Sequence, residues 1–234
     1  MNSFDQFLLT WINQFSRHSP DADSAIAFLS GHAFLKGGVL VTIVWWAWFT
    51  SGQRQARNRE HLVVTLFCCF VAMFVTRALA FILPFRPRPI HNEALSFLVP
   101  YGLTPTMLDG WSSFPSDHAG LYFTLACGLL FVSRKVGAFA IAYTAVFIAL
   151  PRIYLGLHYP TDILAGGMIG ASIALLGNLY LTQSKIVNAT VAFSSSRPAV
   201  FYPLFFLLTY QIADLFNGVR PLLSPLKHFL ARIS

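Results

Sequence analysis

The chain has 234 residues, of which 56% are hydrophobic and only 11% charged, against about 25% charged in an average soluble domain. A water-facing surface cannot be built from so few charges, whereas a lipid-facing one can. The net charge of +7 does not point to nucleic acid, because no basic stripe is interleaved with aromatics. The basic residues fall instead into short runs between apolar blocks and into a few motifs.

The apolar blocks predict an all-α polytopic membrane bundle of about six transmembrane helices, forming one domain over residues 1–234. A spanning helix needs roughly 20 apolar residues. At the N-terminus, Phe4, Phe7, Leu8, Trp11, Ile12 and Phe15 recur at helical spacing and predict a helix lying on the membrane surface. A first span is expected from Ala33 to Phe49, extending upstream toward Ala25–Ser30, and a second from His61 to Pro84. The loop Gln53–Glu60 between them carries Arg54, Arg57 and Arg59. The third, fourth, fifth and sixth spans are placed at His118–Val132, Val136–Leu150, Ile163–Leu181 and Ala199–Phe216. Ser194–Ser196 reads as a polar patch in a loop, and Asn217–Ser234 as an interfacial tail. Trp45, Trp46 and Trp48 read as part of an interfacial aromatic belt. Cys68, Cys69 and Cys127 lie inside apolar blocks without metal-ligand spacing and read as packing residues.

The short loops with Arg54, Arg57, Arg59 and with Arg134, Lys135 follow odd-numbered helices, and Lys185 and Arg197 fall on the same side. Short basic loops stay in the cytoplasm. The segments Arg86–Pro115 and Arg152–Thr161 are then expected outside, at one membrane face.

Three polar clusters fall in or beside those segments. Arg86-Pro87-Arg88-Pro89 ends the second helix and places two guanidiniums on a stiff chain, suited to phosphate oxygens. Ser113-Phe114-Pro115-Ser116-Asp117-His118 opens the third helix, where free N–H groups and a hydroxyl from Ser116 suit an anion. Arg152 ends the fourth helix, and His158 is followed four residues later by Asp162, a carboxylate able to fix the ring tautomer and free the other nitrogen for attack. Taken singly, each cluster also has a structural reading: snorkelling arginines, an ordinary capped helix, and an Arg152–Asp162 salt bridge. Taken together they supply the inventory that phosphoryl transfer needs.

These segments resemble the three signature motifs of the type 2 phosphatidic acid phosphatase superfamily, which also includes the vanadium haloperoxidases. The matching residues are Arg88-Pro89, Pro115-Ser116-Asp117-His118, and Arg152 with His158 and Asp162. The resemblance implies that His158 attacks phosphorus, that Asp162 orients it, and that His118 protonates the leaving oxygen and then activates water. It implies phosphate binding by Arg88, Arg152 and Ser116, with Arg86 a further candidate. Two positions depart from the pattern: Phe81 stands where it has Lys, and Pro151 where it has Ser. Arg77, one turn upstream of Phe81, is a candidate replacement for the Lys. No metal or other cofactor is implied.

The Pro-Ser-Asp-His form resembles that of bacterial undecaprenyl-diphosphate phosphatases. It implies a multi-pass protein of the bacterial inner membrane, with the site facing the periplasm or exterior and a membrane lipid as substrate. Phosphatidic acid and phosphatidylglycerol phosphate are alternative substrates. Two rival readings stand beside this one: a non-catalytic lipid-headgroup binding or transport protein using the same arginines, and a metal site of His118, His158 and Asp162.

Overall fold

A computed structural model describes residues 2–104 and 106–217. Every regular element among the described residues is helical, and none is a strand. The helices are α1 (Ser3–Asn13), α2 (Pro20–Gly31), α3 (Phe34–Phe49, π-helical over Phe34–Gly38), α4 (Gln55–Ile82), α5 (Asp117–Val132), α6 (Arg134–Tyr154, π-helical over Thr144–Ala149), α7 (Pro160–Tyr180), α8 (Lys185–Ser196) and α9 (Pro198–Ala213).

Three of these, α4, α6 and α7, are long and apolar enough to cross a membrane. The pair α2–α3, bent by 68° at its break, makes a fourth if the two helices are taken as one span, and α5 and α9 are shorter apolar helices. With no water in the bilayer core, helices that satisfy their own backbone are the open structure that can span it. Their outward faces are apolar: Phe67, Phe74 and Phe81 on α4, Leu164, Met168 and Leu175 on α7, and Leu204 and Leu207 on α9 are all exposed. Such surface is stable in lipid and not in water.

Helix α5 is the hub, packed against α4, α6 and α7. Its buried positions run all round the helix, from His118 and Ala119 to Gly128 and Leu129. The α5–α7 contact is made by small residues: a Cβ built at Gly166 would lie 2.2 Å from the Ser116 carbonyl oxygen, and one at Gly170 equally close to that of Gly120. Close backbone approach through small residues is how helices associate where lipid gives no hydrophobic drive.

Several boundaries differ from those expected. The segment expected as the loop Gln53–Glu60 is largely the start of α4, because Arg57, Arg59 and Glu60 are good helix formers outside the lipid. Ser194–Ser196 is the last turn of α8 and not a loop; Ser194 Oγ donates back to the Val191 carbonyl at 2.7 Å. Trp48 is fully buried and Trp45 half-buried, both against Phe205 of α9, so only Trp46 suits the expected belt. The interfacial tail expected at 217–234 lies outside the described residues beyond Asn217.

The antiparallel order brings the C-terminal ends of α4 and α6 beside the N-terminal ends of α5 and α7. The connection from Leu83 to Ser116 folds over that end of the bundle. It is tied to the N-terminal corner: Asn13 Nδ2 donates to Leu98 O (2.8 Å), Asn13 Oδ1 accepts from Leu98 N (2.9 Å), and Arg17 Nε donates to Val99 O (2.8 Å).

Candidate active site

Where these helix ends meet, a cavity of about 560 Å³ is lined by Thr76, Arg77, Ala80 and Phe81 of α4, by Arg88, Leu108, Gly110, Trp111 and Ser112 of the connection, by Asp117 and His118 of α5, by Arg152 of α6, and by His158. The Ser116 hydroxyl caps α5, accepting from Ala119 N at 3.3 Å, which sets His118 in the first turn. The connector from Arg152 to Asp162 is folded on itself by bonds from Leu157 N (3.0 Å) and His158 N (3.3 Å) to Arg152 O. Gly156 sits there at φ 67°, with Phe97 against it, a conformation open to glycine at no steric cost.

His158 is buried, and its ring has a defined tautomer. Nδ1 lies 2.8 Å from the Ser113 carbonyl oxygen, which can only accept, so Nδ1 carries the hydrogen and Nε2 the lone pair. Nε2 lies 3.3 Å from Nη1 of Arg88. Asp162 Oδ2 is 3.7 Å from Nδ1, an ion-pair distance and not a hydrogen bond. That carboxylate is bonded instead to Tyr159 N (2.8 Å) and Arg86 Nη1 (2.5 Å). Burial pushes the His158 ring below the ordinary histidine value, Asp162 pulls it upward, and the Arg88 and Arg152 guanidiniums press it down again. Burial and the two guanidiniums thus favour the neutral ring.

His118 Nδ1 lies 2.8 Å from Asp117 Oδ1 and 3.0 Å from Arg152 Nη2. The carboxylate can only accept and the guanidinium only donate, so Nδ1 serves one of them at a time; with its hydrogen toward Asp117, Nε2 is left to receive a proton on the cavity side. Asp117 Oδ2 in turn lies 3.5 Å from Arg77 Nε. Arg88 Nη1 donates to Leu157 O (2.5 Å) and Nη2 to Ser112 O (3.3 Å), while its buried Nε finds no partner among the described residues. Nη2 of Arg77 is likewise buried without a partner there. Phosphate oxygens are the acceptors that these donors suit.

Arg77, Arg88, Arg152, His118 and His158 are therefore brought to one cavity. Three of the expected site residues are not among its lining. Arg86 donates to Thr161 Oγ1 (3.0 Å), Asp162 Oδ1 and Asp5 Oδ2 (2.7 Å) and stacks 4.0 Å over the Tyr159 ring, so three of its five N–H donors are engaged away from the cavity. Ser116 is fully buried in the helix cap. Asp162 lies behind His158, also fully buried. The residue that composition and motif left without a role is Asp117, and the carboxylate that clusters with the two histidines is Asp117 and not Asp162: ligand-type atoms of Asp117, His118 and His158 lie within 4.8 Å of one another. Such donors could hold a divalent ion, but three guanidiniums line the same cavity, and their field favours an anion. Asp5 was also unforeseen, its signal being a lone acid in an apolar helix face.

Phe81, in the place of the expected Lys, is exposed at the cavity rim, edge-on to Trp111 at 6.4 Å between ring centres. With Leu83 and Phe85, it gives the polar cavity an apolar lip on the lipid-facing side of α4.

Comparison with known proteins gives the following. Residues 62–186 match the PAP2 superfamily. Among curated proteins, the chain is 26% identical over 180 residues to undecaprenyl-diphosphatase BcrC of Bacillus subtilis, covering 77% of this chain and 84% of that protein. It is 33% identical over 134 residues to putative undecaprenyl-diphosphatase YbjG of Escherichia coli, covering 56% and 61%. A third relative, lipid A 1-phosphatase of Rhizobium johnstonii, is 32% identical over 105 residues, covering 44% of this chain and 40% of that protein. No solved structure matches.

Proposed function

The chain belongs to the PAP2 superfamily, and from that premise we propose that it is an integral membrane phosphatase cleaving a lipid-linked phosphate or diphosphate through a phosphohistidine on His158. One observation carries the reading: the unprotonated Nε2 of His158 faces an arginine-lined cavity whose lip is apolar. A headgroup phosphate fits the cavity while its hydrocarbon chain leaves past Phe81 and Trp111.

In the first step Nε2 of His158 bonds to phosphorus as the bond to the leaving oxygen breaks. His118, protonated on Nε2 and bonded through Nδ1 to Asp117, gives that oxygen its proton. Arg88 and Arg152, with Arg77, hold the equatorial oxygens as charge redistributes over them. In the second step His118, now neutral, takes a proton from water. The water oxygen bonds to phosphorus, the N–P bond breaks, and inorganic phosphate leaves with His118 protonated again.

The substrate reading is undecaprenyl diphosphate, supported by the names of the relatives in Bacillus subtilis and Escherichia coli. The site faces the periplasm or exterior of a bacterial inner membrane. That orientation is supported by Arg57 and Arg59 at the start of α4, Arg134 and Lys135 at the start of α6, and Lys185 at the start of α8, all at the helix ends remote from the cavity.

The test is phosphate release from undecaprenyl diphosphate and from phosphatidic acid by purified protein with excess chelator, beside His158→Ala. Release by the wild type that vanishes in the variant is expected, faster with the diphosphate. Faster release from phosphatidic acid would reassign the substrate. Equal release by the variant would overturn the mechanism. Binding of both lipids without release would favour a headgroup-binding protein.

A further inference from the structure

The Asp162 carboxylate is wired to a part of the chain outside the matched family segment. Arg86 bridges two acids, donating through Nη1 to Asp162 Oδ1 and through Nη2 to Asp5 Oδ2. Asp5 is fully buried, although it belongs to α1, whose other face exposes Phe4, Phe7 and Trp11. Its Oδ1 accepts from Thr161 N at 2.9 Å and its Oδ2 from Thr161 Oγ1 at 2.6 Å. A carboxylate without exposure is tolerated only when paired and bonded, and Asp5 spends all of its bonds on the first turn of α7 and on Arg86. These are contacts across 156 and 81 positions of sequence.

We infer that Asp5 is a positioning residue for the nucleophile: by sharing the Arg86 cation with Asp162, it leaves Asp162 with charge to turn toward His158, and so makes the N-terminal helix part of the catalytic unit. This rests on the phosphohistidine reading of the same site. One cation between two carboxylates neutralises neither fully. With Asp5 gone, the whole of the Arg86 charge faces Asp162, a planar guanidinium and a carboxylate close into a two-bond pair, and the pull of Asp162 on the His158 ring weakens. The other groups facing His158 are Arg88 and the Ser113 carbonyl from the connection, Arg152 from α6, and Asp117 and His118 from α5. The connection from Asp5 to the ring runs through Arg86 and Asp162.

A merely structural role, pinning α1 to the bundle, would lower stability and activity together and leave the His158 titration in place. The experiment therefore titrates the ring. The full chain in lipid nanodiscs is labelled with ¹³C-histidine, the His158 signal is assigned by its loss in His158→Gln, and Asp5→Asn, Arg86→Met and their double variant are compared with wild type. The expected result for Asp5→Asn is a His158 titration lowered by about half a pH unit or more. Its kcat for lipid phosphate release falls about threefold to tenfold with KM unchanged. The double variant is expected to lose no more than Arg86→Met alone, since both changes act on one unit. Phe7→Ser, exposed on the same helix, is the control expected to alter neither. Asp5→Ser, which likewise removes the charge, is expected to move the titration in the same direction and serves where Asp5→Asn is not recovered folded. An unmoved His158 titration in both variants overturns the inference. A wild type that releases no phosphate from any lipid would defeat the functional reading alone, because the titration decides the coupling without turnover.

Discussion

Replacing Asp162 by Asn tests how the nucleophile is held. Where a carboxylate alone fixes a histidine tautomer, the amide substitution costs about 10⁴-fold in rate. Here Nδ1 lies at hydrogen-bond distance from the Ser113 carbonyl, at 2.8 Å, while Asp162 Oδ2 stands 3.7 Å away. The tautomer therefore survives the substitution, and what is lost is the charge. A unit charge at 3.7 Å is worth about 1 kcal/mol to an imidazolium in water and about 4 kcal/mol near a protein surface. The pair is buried but shares its cation with Asp5, so the expected loss lies between, at roughly 1.4–2.8 kcal/mol, or about 10- to 100-fold in kcat. Phosphate release under single-turnover conditions measures it, with circular dichroism to confirm that the variant keeps its helical fold. A loss near 10⁴-fold in folded protein would refute the assignment of the tautomer to Ser113.

The His158 ring must be neutral to attack, and burial holds it below the ordinary histidine value, so it stays deprotonated as pH falls to that value and protonates only below it. The acid limb of kcat/KM is therefore expected below about pH 6.5; a limb above pH 7 would contradict the environment described. Arg88→Lys keeps the charge but replaces a fork that reaches Leu157 O, Ser112 O and His158 at once with a single nitrogen, and a loss of about 100-fold or more in kcat is expected. Arg77→Gln is expected to raise KM about tenfold if the buried Nη2 serves phosphate; an unchanged KM removes Arg77 from the ligands. Gly170→Ala would drive its Cβ into the Gly120 carbonyl at 2.2 Å and Thr124 Oγ1 at 2.8 Å. It is expected to destabilise the α5–α7 contact by about 1–3 kcal/mol, read as a lower unfolding temperature in detergent.

Hydropathy and helix signals recovered most of the bundle because lipid imposes a simple rule on span length and composition. The same rule failed where a helix leaves the lipid. Gln55–Glu60 and Lys185–Ser196 are helical but too polar to register as spans, and the first looked like a basic loop. The Trp45 and Trp48 rings looked interfacial because their type is common there, whereas packing against Phe205 depends on which helix lies next door. The break after Gly31 and the π-helical turns depend likewise on neighbours.

At the site, residue type and motif spacing were enough to assemble His118, His158, Arg88 and Arg152, because each stands at the end of a helix and the alternation of spans brings alternate ends together. Spacing could not assign partners among groups of like chemistry. Arg86 and Arg88 are two residues apart on one stiff segment, yet one points to Asp5 and Asp162 and the other to the cavity. Residues two apart in a regular extended chain would share a side, so the divergence of the two arginines comes from their partners: Arg86 is held by Asp5 and Asp162, and Arg88 lines the cavity. The Arg-Pro-Arg-Pro segment thus divides its two charges. Arg88 lines the cavity, and Arg86 meets the buried acids behind His158, one of them brought by a helix that lies at the far end of the sequence.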